Sequence, residues 1–216
     1  AVPAPAARRS QHLRYEPALD GVRALAVLAV MVYHFGQGWL PGGYIGVDVF
    51  FVISGFLITR LLMAELTATG GVRLAAFYGA RARRLLPAAG TVLVITAVAA
   101  ATLLPPLQAR SALADGLASA LYMGNYRFAA HGTDYLADAL PSPFQHYWSL
   151  GVEEQFYLVR TALILGTAWL VRRRRPGSVS TRPYLAALLV VAAGSLALAL
   201  WLTRTSPPWA FFSLPT

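Results

Sequence analysis

Five long apolar runs constrain this chain more than any other feature. A helix that crosses a membrane needs about 20 mainly apolar residues, and five stretches approach or reach that length: 18–35, 44–62, 85–104, 147–171 and 184–203. The sequence therefore predicts an all-α polytopic membrane protein with about five transmembrane helices.

The remaining segments are predicted to lie outside these spans. A sixth apolar stretch, at 112–124, is too short to cross a bilayer and is interrupted by Asp115 and Gly116. We expect it to be interfacial or re-entrant. Residues 1–17 are rich in alanine, proline and arginine and lack the apolar core of a signal peptide. They are predicted to form a disordered cytoplasmic lead-in to a membrane domain at 18–216.

The distribution of arginine predicts the orientation of the helices. All 18 basic residues are arginine, and positive residues concentrate in loops on the cytoplasmic side. With the N-terminus in the cytoplasm, the segments on that side carry 12 arginines and the opposite segments carry three. Counting 112–124 as a sixth span would move the arginine run at 172–175 to the outside. Five spans and a cytoplasmic N-terminus fit better.

The composition excludes several classes of function. Only 12% of the residues are charged, half of the roughly 25% typical of soluble domains. The net charge of +9 is too interrupted by apolar runs to form a nucleic-acid-binding surface. Cysteine is absent, which excludes disulfides, thiolate zinc sites and cysteine nucleophiles. We expect neither a nucleic-acid partner nor a metal site.

Ionisable residues inside spans are costly and therefore become candidates for function. The first span contains Arg23 and His34. Eleven residues bring these side chains to within about 20° of one helix face and separate them by roughly 16 Å along the axis. An alternative is that Arg23 extends to the inner headgroups and His34 marks the outer interface.

Three carboxylates are predicted to join His34 in the outer third of the membrane. Asp48 lies near the outer start of the second span, and Glu153 and Glu154 lie about two turns into the fourth. A histidine beside carboxylates is suited to act as a general base. For Asp48, the alternative is a favourable interaction with the positive end of its own helix.

A cationic group is predicted at the inner side. Arg60 is expected to end the second helix, and Arg81, Arg83 and Arg84 precede the third span. Arg81 and Arg84 are three residues apart and share a helix face, so both can reach phosphate oxygens. Cytoplasmic anchoring and contact with lipid headgroups are the alternative. The glycines at 42–46 permit a tight turn with close backbone approach.

Four motifs carry a resemblance to a known family. They are LDGVRALAV at 19–27 with His34 following Arg23 after ten residues, GYIGVDVFFVISGFLI at 43–58, FY at 77–78 followed by RARRLLP at 81–87, and WSLGVEEQFYL at 148–158. In this order and topology they resemble the bacterial membrane acyltransferase-3 family. The resemblance runs from about Tyr15 to the last residue. Family members have about ten spans, so this chain resembles their N-terminal half.

The resemblance implies an enzyme of the bacterial cytoplasmic membrane. Such enzymes transfer an acyl group, often acetyl, from cytoplasmic acyl-CoA to a hydroxyl of an extracytoplasmic glycan, glycolipid or glycosylated metabolite. Acyl-CoA is the donor substrate, and no permanently bound cofactor is expected. His34 resembles the catalytic histidine, with Asp48, Glu153 or Glu154 orienting its ring. Direct transfer is favoured over a covalent step at Ser54.

Three arginines would then hold the donor. Arg81 and Arg84 are expected to bind the phosphates, with Arg23 deeper in the same route. Arg160 and Thr161 depart from the family pattern, in which many members have tryptophan and proline. We expect Arg160 to pair with a carboxylate such as Glu153; the alternative is that it makes this chain weakly active. The alternatives to an acyltransferase are a membrane transporter or lipid-binding protein, in which buried charges line a permeation route, and an inactive fragment.

Overall fold

A computed structural model describes residues 16–35, 39–133, 141–174 and 180–213. All regular elements in these residues are helical, which confirms the all-α prediction. Besides a 3₁₀ turn at Gly43–Ile45, the helices are α1 (Pro17–Phe35), α2 (Gly46–Thr69), α3 (Leu74–Leu103), α4 (Pro106–Ala120), α5 (Gly124–Ala130), α6 (Tyr147–Arg174), α7 (Arg182–Thr205) and α8 (Pro207–Phe212). The chain forms two compact units, Ala1–Leu61 and Leu62–Thr216. The predicted lead-in lies outside the described residues, except for Glu16 and Pro17.

Four of the described helices are long and apolar enough to cross a membrane: α1, α2 with its preceding turn, α3 and α7. They correspond to four of the five predicted spans. Helix α7 buries none of its residues, as expected for a helix that faces lipid. Helix α6 has 28 residues but also carries Glu153, Glu154 and Arg160, and it does not meet the same criterion. Its crossing of the membrane stays a prediction.

Close backbone approach organises the first unit. A Cβ atom at Gly43 would lie 2.3 Å from the Ala29 carbonyl oxygen, and one at Gly46 would lie 2.4 Å from the Ala26 carbonyl oxygen. Real Cβ atoms do not come this close to a backbone oxygen, so only glycine fits at either position. The close-approaching turn predicted from these glycines is confirmed, and it rests against α1.

Replacement of Gly43 or Gly46 by alanine is expected to lower the free energy of unfolding by about 3 kcal/mol, the upper part of the usual range for overpacking. The obstacle is backbone, which cannot rotate away. Thermal unfolding of the detergent-solubilised protein measures the effect. Gly21→Ala is the matched control, because a Cβ at Gly21 meets nothing within 4 Å and alanine favours a helix. A Gly43→Ala variant as stable as the wild type would contradict the close packing.

The second unit is built on α3, α4 and α6. Its apolar centre consists of Ala100, Ala112, Phe144 and Tyr147, with partly buried residues of α3 packed around them. Gly116 lies under the Phe144 ring, where a Cβ would come within 2.9 Å. The predicted interfacial stretch at 112–124 thus contributes the end of α4 and the turn that follows it. Five of its residues are buried: Ala112, Asp115, Gly116, Ser119 and Gly124.

Two helix boundaries differ from the predictions. Helix α2 continues to Thr69, so Arg60 does not end it, and α3 begins at Leu74 rather than near residue 85. Apolar runs do not reveal these extensions because arginine is a good helix former despite its charge. Arg81, Arg83 and Arg84, which were predicted to precede the third span, therefore lie in the first part of α3. That helix also continues through Pro87, although proline removes one backbone hydrogen bond.

Candidate functional site

His34 lies in the last turn of α1, where its own helix sets its tautomer. Its Nδ1 atom is 2.8 Å from the Val30 carbonyl oxygen. A carbonyl only accepts hydrogen bonds, so Nδ1 donates and carries the proton, which leaves the lone pair on Nε2. The Tyr33 ring packs edge-on against the imidazole at a centroid distance of 5.1 Å. His34 is exposed, and in this tautomer its neutral ring can act as a base through Nε2.

The other candidates of the first unit form local contacts. Arg23 lies 4.0 Å from Asp20 and has its guanidinium 5.9 Å from the centre of the Phe50 ring. Asp48 is exposed in the first turn of α2, where a carboxylate stabilises the positive helix end. This position fits the alternative interpretation of Asp48. A role in orienting His34 stays a prediction.

Arg81 is the centre of a polar cluster in the second unit, which we call the Arg81 cluster: Arg81, Glu153, Glu154 and Tyr157. Its Nη2 atom donates to Glu154 Oε1 at 3.3 Å and lies 4.0 Å from Glu153 Oε1. The guanidinium also stacks 3.6 Å from the centre of the Tyr157 ring. Tyr157 in turn donates its hydroxyl hydrogen to Glu153. One cation and two carboxylates thus share a partly buried site.

This cluster corrects the predicted depth of its members. Arg81 was expected at the inner face and Glu154 in the outer third, yet the two side chains are in contact. A second link, from the Tyr147 hydroxyl to the Ala89 carbonyl oxygen at 2.6 Å, shows that α3 and α6 run antiparallel. The two helices are aligned with Ala89 beside Tyr147, and this alignment brings Arg81 to Glu154. Arg81, which was predicted in the inner group, and Glu154, which was predicted in the outer group, therefore belong to one cluster.

His34 and the carboxylates that were predicted to lie near it do not all belong to one unit. His34 and Asp48 belong to the first unit, whereas Glu153 and Glu154 belong to the second. The convergence of His34 with these carboxylates stays a prediction. Within the second unit, Arg172 donates to the Gly70 carbonyl oxygen, so the residue that follows α2 lies beside the end of α6.

Arg84 and Arg160 differ from Arg81 in their surroundings. Arg84 is exposed and forms no ion pair with the other described residues. Arg160 lies over the Phe156 ring, 4.8 Å from its centre. Glu153 contacts Arg81 and Tyr157 instead, so the pairing of Arg160 with Glu153 is wrong. Distance along the helix explains this difference, because Tyr157 lies one turn, about 6 Å, from Glu153, whereas Arg160 lies two turns, about 10.5 Å, away.

A buried amide pair adjoins the Arg81 cluster. Gln155 donates from Nε2 to the Tyr122 carbonyl oxygen at 2.7 Å and to Asn125 Oδ1 at 3.0 Å. Asn125 is fully buried and donates from Nδ2 to Gln155 Oε1 and to the Phe212 carbonyl oxygen. Gly151 allows this approach, since a Cβ there would lie 3.1 Å from Asn125 Oδ1. The turn after α4 is thereby fixed to α6.

The sequence interpretation missed this second polar group and the ion pair beside it. Asp115 and Arg127 form an ion pair at 2.6 Å between α4 and α5, although Asp115 was treated only as an interruption of an apolar run. The opposite charges of Asp115 and Arg127, on either side of a turn in an apolar segment, could have predicted this ion pair. The sequence contains no such signal for Tyr122, whose carbonyl oxygen accepts the hydrogen bond from Gln155. No group of three or more potential metal ligands occurs among the residues that the structure describes.

Comparison with known proteins supports the resemblance. The peptidoglycan O-acetyltransferase OatA of Listeria monocytogenes is 40% identical over 153 residues, which cover 70% of this chain and 24% of that protein. The O-acetyltransferase OatA of Staphylococcus aureus is 37% identical over 177 residues, which cover 82% of this chain and 28% of that protein. The chain thus spans about a quarter of the length of these relatives. No solved structure matches it.

The family assignment follows from the extent of the match. The family model described as an acyltransferase domain matches residues 16–216, which include α1 with His34, α3 with Arg81 and α6 with both glutamates. All four motifs that carry the resemblance fall inside this range. The chain belongs to the acyltransferase-3 family.

Proposed function

We propose that this chain takes part in the transfer of an acyl group, in particular acetyl, from acyl-CoA to a hydroxyl group of an extracytoplasmic carbohydrate. The donor is cytoplasmic in this proposal, and the enzyme resides in the bacterial cytoplasmic membrane. The observation that carries the proposal is the hydrogen bond from His34 Nδ1 to the Val30 carbonyl oxygen. It keeps the basic lone pair on Nε2, which can accept the proton of an acceptor hydroxyl.

In the proposed reaction, His34 Nε2 takes the proton of the acceptor hydroxyl while the oxygen attacks the thioester carbonyl carbon. A new C–O bond forms, and the C–S bond breaks. The proton on the imidazolium then passes to the departing CoA sulfur, which restores the neutral histidine. Asp48 remains a proposed orienting group. The observed role of Val30 makes a carboxylate unnecessary for selecting the tautomer.

Arginines are proposed to bind the phosphates of the donor. Arg84 suits this role because its guanidinium is exposed and its five donors can form paired hydrogen bonds with phosphate oxygens. Arg81 remains a proposed contact, but it would have to exchange the Glu154 carboxylate for a phosphate oxygen. We therefore assign Glu153 and Glu154 the role of holding Arg81 in place. Arg23 remains a proposed contact for the donor in the first unit.

The acceptor is proposed to be a glycan of the cell envelope. This proposal is supported by the Listeria relative, which is named a peptidoglycan O-acetyltransferase. Transfer of radiolabelled acetyl from acetyl-CoA to extracted envelope glycans, by membranes that contain the protein, tests the function. The expected result is protein-dependent labelling of the glycan together with release of CoA. Movement of a substrate without thioester cleavage would support a transporter instead.

Replacement of Arg84 by alanine is expected to raise the KM for acetyl-CoA by about tenfold, because a charge-assisted hydrogen bond to phosphate is lost. The kcat should change little, since the phosphates are remote from the reacting carbonyl. Steady-state CoA release measures both constants. Arg83→Ala is the matched control, because Arg83 is also exposed but projects about 100° away around the helix. Equal KM values for the two variants would argue against a specific contact at Arg84.

A further inference from the structure

One cation in the middle of α6 has no anionic partner among the described residues. Arg160 forms no ion pair with them, and its Nε atom is buried without a hydrogen-bond acceptor. The residue as a whole is only partly exposed. A charge that is withdrawn from water without a partner is costly, and this cost is high inside an apolar segment. The surroundings of Arg160 therefore favour the binding of an anion.

The position of Arg160 along α6 keeps its charge away from both ends of the helix. Tyr147 begins the helix 13 residues before it, and Arg174 ends the helix 14 residues after it. Each distance is about 20 Å, farther than an arginine side chain extends, so Arg160 cannot reach the headgroups as residues near helix ends do. Its neighbours on the helix surface, Tyr157 and Ile164, are buried. Arg160 thus borders the side of α6 that packs against protein.

An aromatic ring holds the guanidinium of Arg160. Its Cζ atom lies 4.8 Å from the centre of the Phe156 ring, one turn earlier in α6. A cation over an aromatic face is attracted to the ring, but the ring does not use the N–H donors at the edge of the guanidinium. Those donors form a fork that matches two oxygens of a phosphate or a carboxylate. Arg160 is therefore both held in place and available to an oxyanion.

Arg160 lies on the same face of α6 as the Arg81 cluster. Glu153, Tyr157 and Arg160 follow one another at spacings of four and three residues, which places them in one row along the helix. Arg81 stacks on the Tyr157 ring, so Arg160 lies one turn beyond the residue that carries Arg81. That turn leads toward the arginines at 172–174, the end of α6 that the arginine distribution predicts to face the cytoplasm.

We propose that Arg160 binds a phosphate group of the acyl-CoA donor. The inference rests on the proposed function, in which the donor comes from the cytoplasm and its phosphates meet arginines. CoA carries a pyrophosphate and a separate ribose phosphate, so it can contact several arginines at once. Arg81 would have to release Glu154 before it binds a phosphate, whereas Arg160 has no described carboxylate to release. A phosphate also compensates a charge that is half-buried, where ionic interactions are stronger than in water.

Binding of CoA and of pantetheine to the detergent-solubilised protein tests the proposal, because pantetheine lacks all phosphates. Arg160→Gln is expected to weaken CoA binding by about tenfold, as for loss of a hydrogen bond between charged groups, and to leave pantetheine binding within about twofold. Arg173→Gln is the matched control. Arg173 also lies over an aromatic ring one turn earlier, that of Trp169 at 4.4 Å, but it is exposed at the end of α6. Its variant should keep CoA binding within about twofold, because exposed charges interact weakly.

Thermal unfolding separates phosphate binding from a structural role. Without ligand, Arg160→Gln should not lower Tm, because no described carboxylate loses its partner. CoA should raise the Tm of the wild type more than that of the variant, since a ligand stabilises the state that binds it. A lipid phosphate offers the same chemistry, so phosphatidylglycerol is added in a parallel series, and it should not raise the Tm of the wild type more than that of Arg160→Gln.

Four results would overturn the proposal: a CoA affinity of Arg160→Gln like that of the wild type, an equal loss in Arg173→Gln, a joint loss of Tm and CoA binding, or an Arg160-dependent rise in Tm with phosphatidylglycerol but not with CoA. These measurements need no turnover. A protein that binds CoA through Arg160 but transfers no acetyl from acetyl-CoA would contradict the proposed function and leave the phosphate contact intact. Acetyl transfer with the same KM for acetyl-CoA in Arg160→Gln would contradict only the contact.

Discussion

Replacement of His34 by alanine is expected to slow CoA release from acetyl-CoA by roughly 10²–10⁴-fold, the usual contribution of a general base. The reason is the position of the proton on the His34 ring. Val30 holds the Nδ1 proton, so Nε2 is the basic atom and its removal leaves the acceptor hydroxyl without a proton acceptor. The measurement is CoA release from acetyl-CoA in the presence of envelope glycans, at equal protein level.

A second histidine provides the control for this prediction. His131 is exposed in the turn after α5 and belongs to no cluster described above. His131→Ala should keep the activity of the wild type within about twofold, since exposed positions of this kind contribute little to folding. A His34→Ala protein that retained wild-type turnover would exclude His34 as the base.

Replacement of Arg81 by leucine is expected to lower the free energy of unfolding by about 3–5 kcal/mol. The substitution leaves Glu153 and Glu154, both about three-quarters or more buried, without the cation that compensates them. It also removes the stacking on Tyr157. Thermal unfolding of the detergent-solubilised protein should therefore show a clear fall in Tm.

Two comparisons make the Arg81 prediction specific. Arg84→Leu removes an exposed arginine from the same helix and should change Tm little, because surface positions rarely contribute more than about 0.5 kcal/mol. Combining Arg81→Leu with Glu154→Gln should recover part of the lost stability, since one uncompensated carboxylate is removed. An Arg81→Leu protein as stable as the wild type would show that the cluster is not an interacting unit.

The fold was predictable where a single physical property dominated. Apolar length located the four helices that can cross a membrane, and the glycines at 43 and 46 indicated a close approach that the structure contains. Helix boundaries were less predictable. A prediction from apolar length ends each span at the first cluster of charged residues, whereas α3 continues as a helix back to Leu74. Arginine favours a helix whatever its depth in the membrane.

Sequence reasoning named candidate site residues but not the side chains that they contact. His34 and the two glutamates were chosen because charges in apolar segments are costly, and Arg81 was chosen because it shares a helix face with Arg84. Which of them meet depends on how α3 and α6 align, and the motifs do not encode that alignment. The left-handed backbone of Tyr122 could not be predicted from the sequence, because that conformation usually belongs to glycine.

The most direct test of the account is CoA release by membranes carrying His34→Ala, measured with acetyl-CoA and envelope glycans before and after addition of imidazole. The account predicts that release is lost in this variant and that imidazole, acting as the missing base, restores a part of it in an acceptor-dependent manner. His131→Ala should be active without imidazole. Release by His34→Ala at the wild-type rate, before any imidazole is added, would contradict the account.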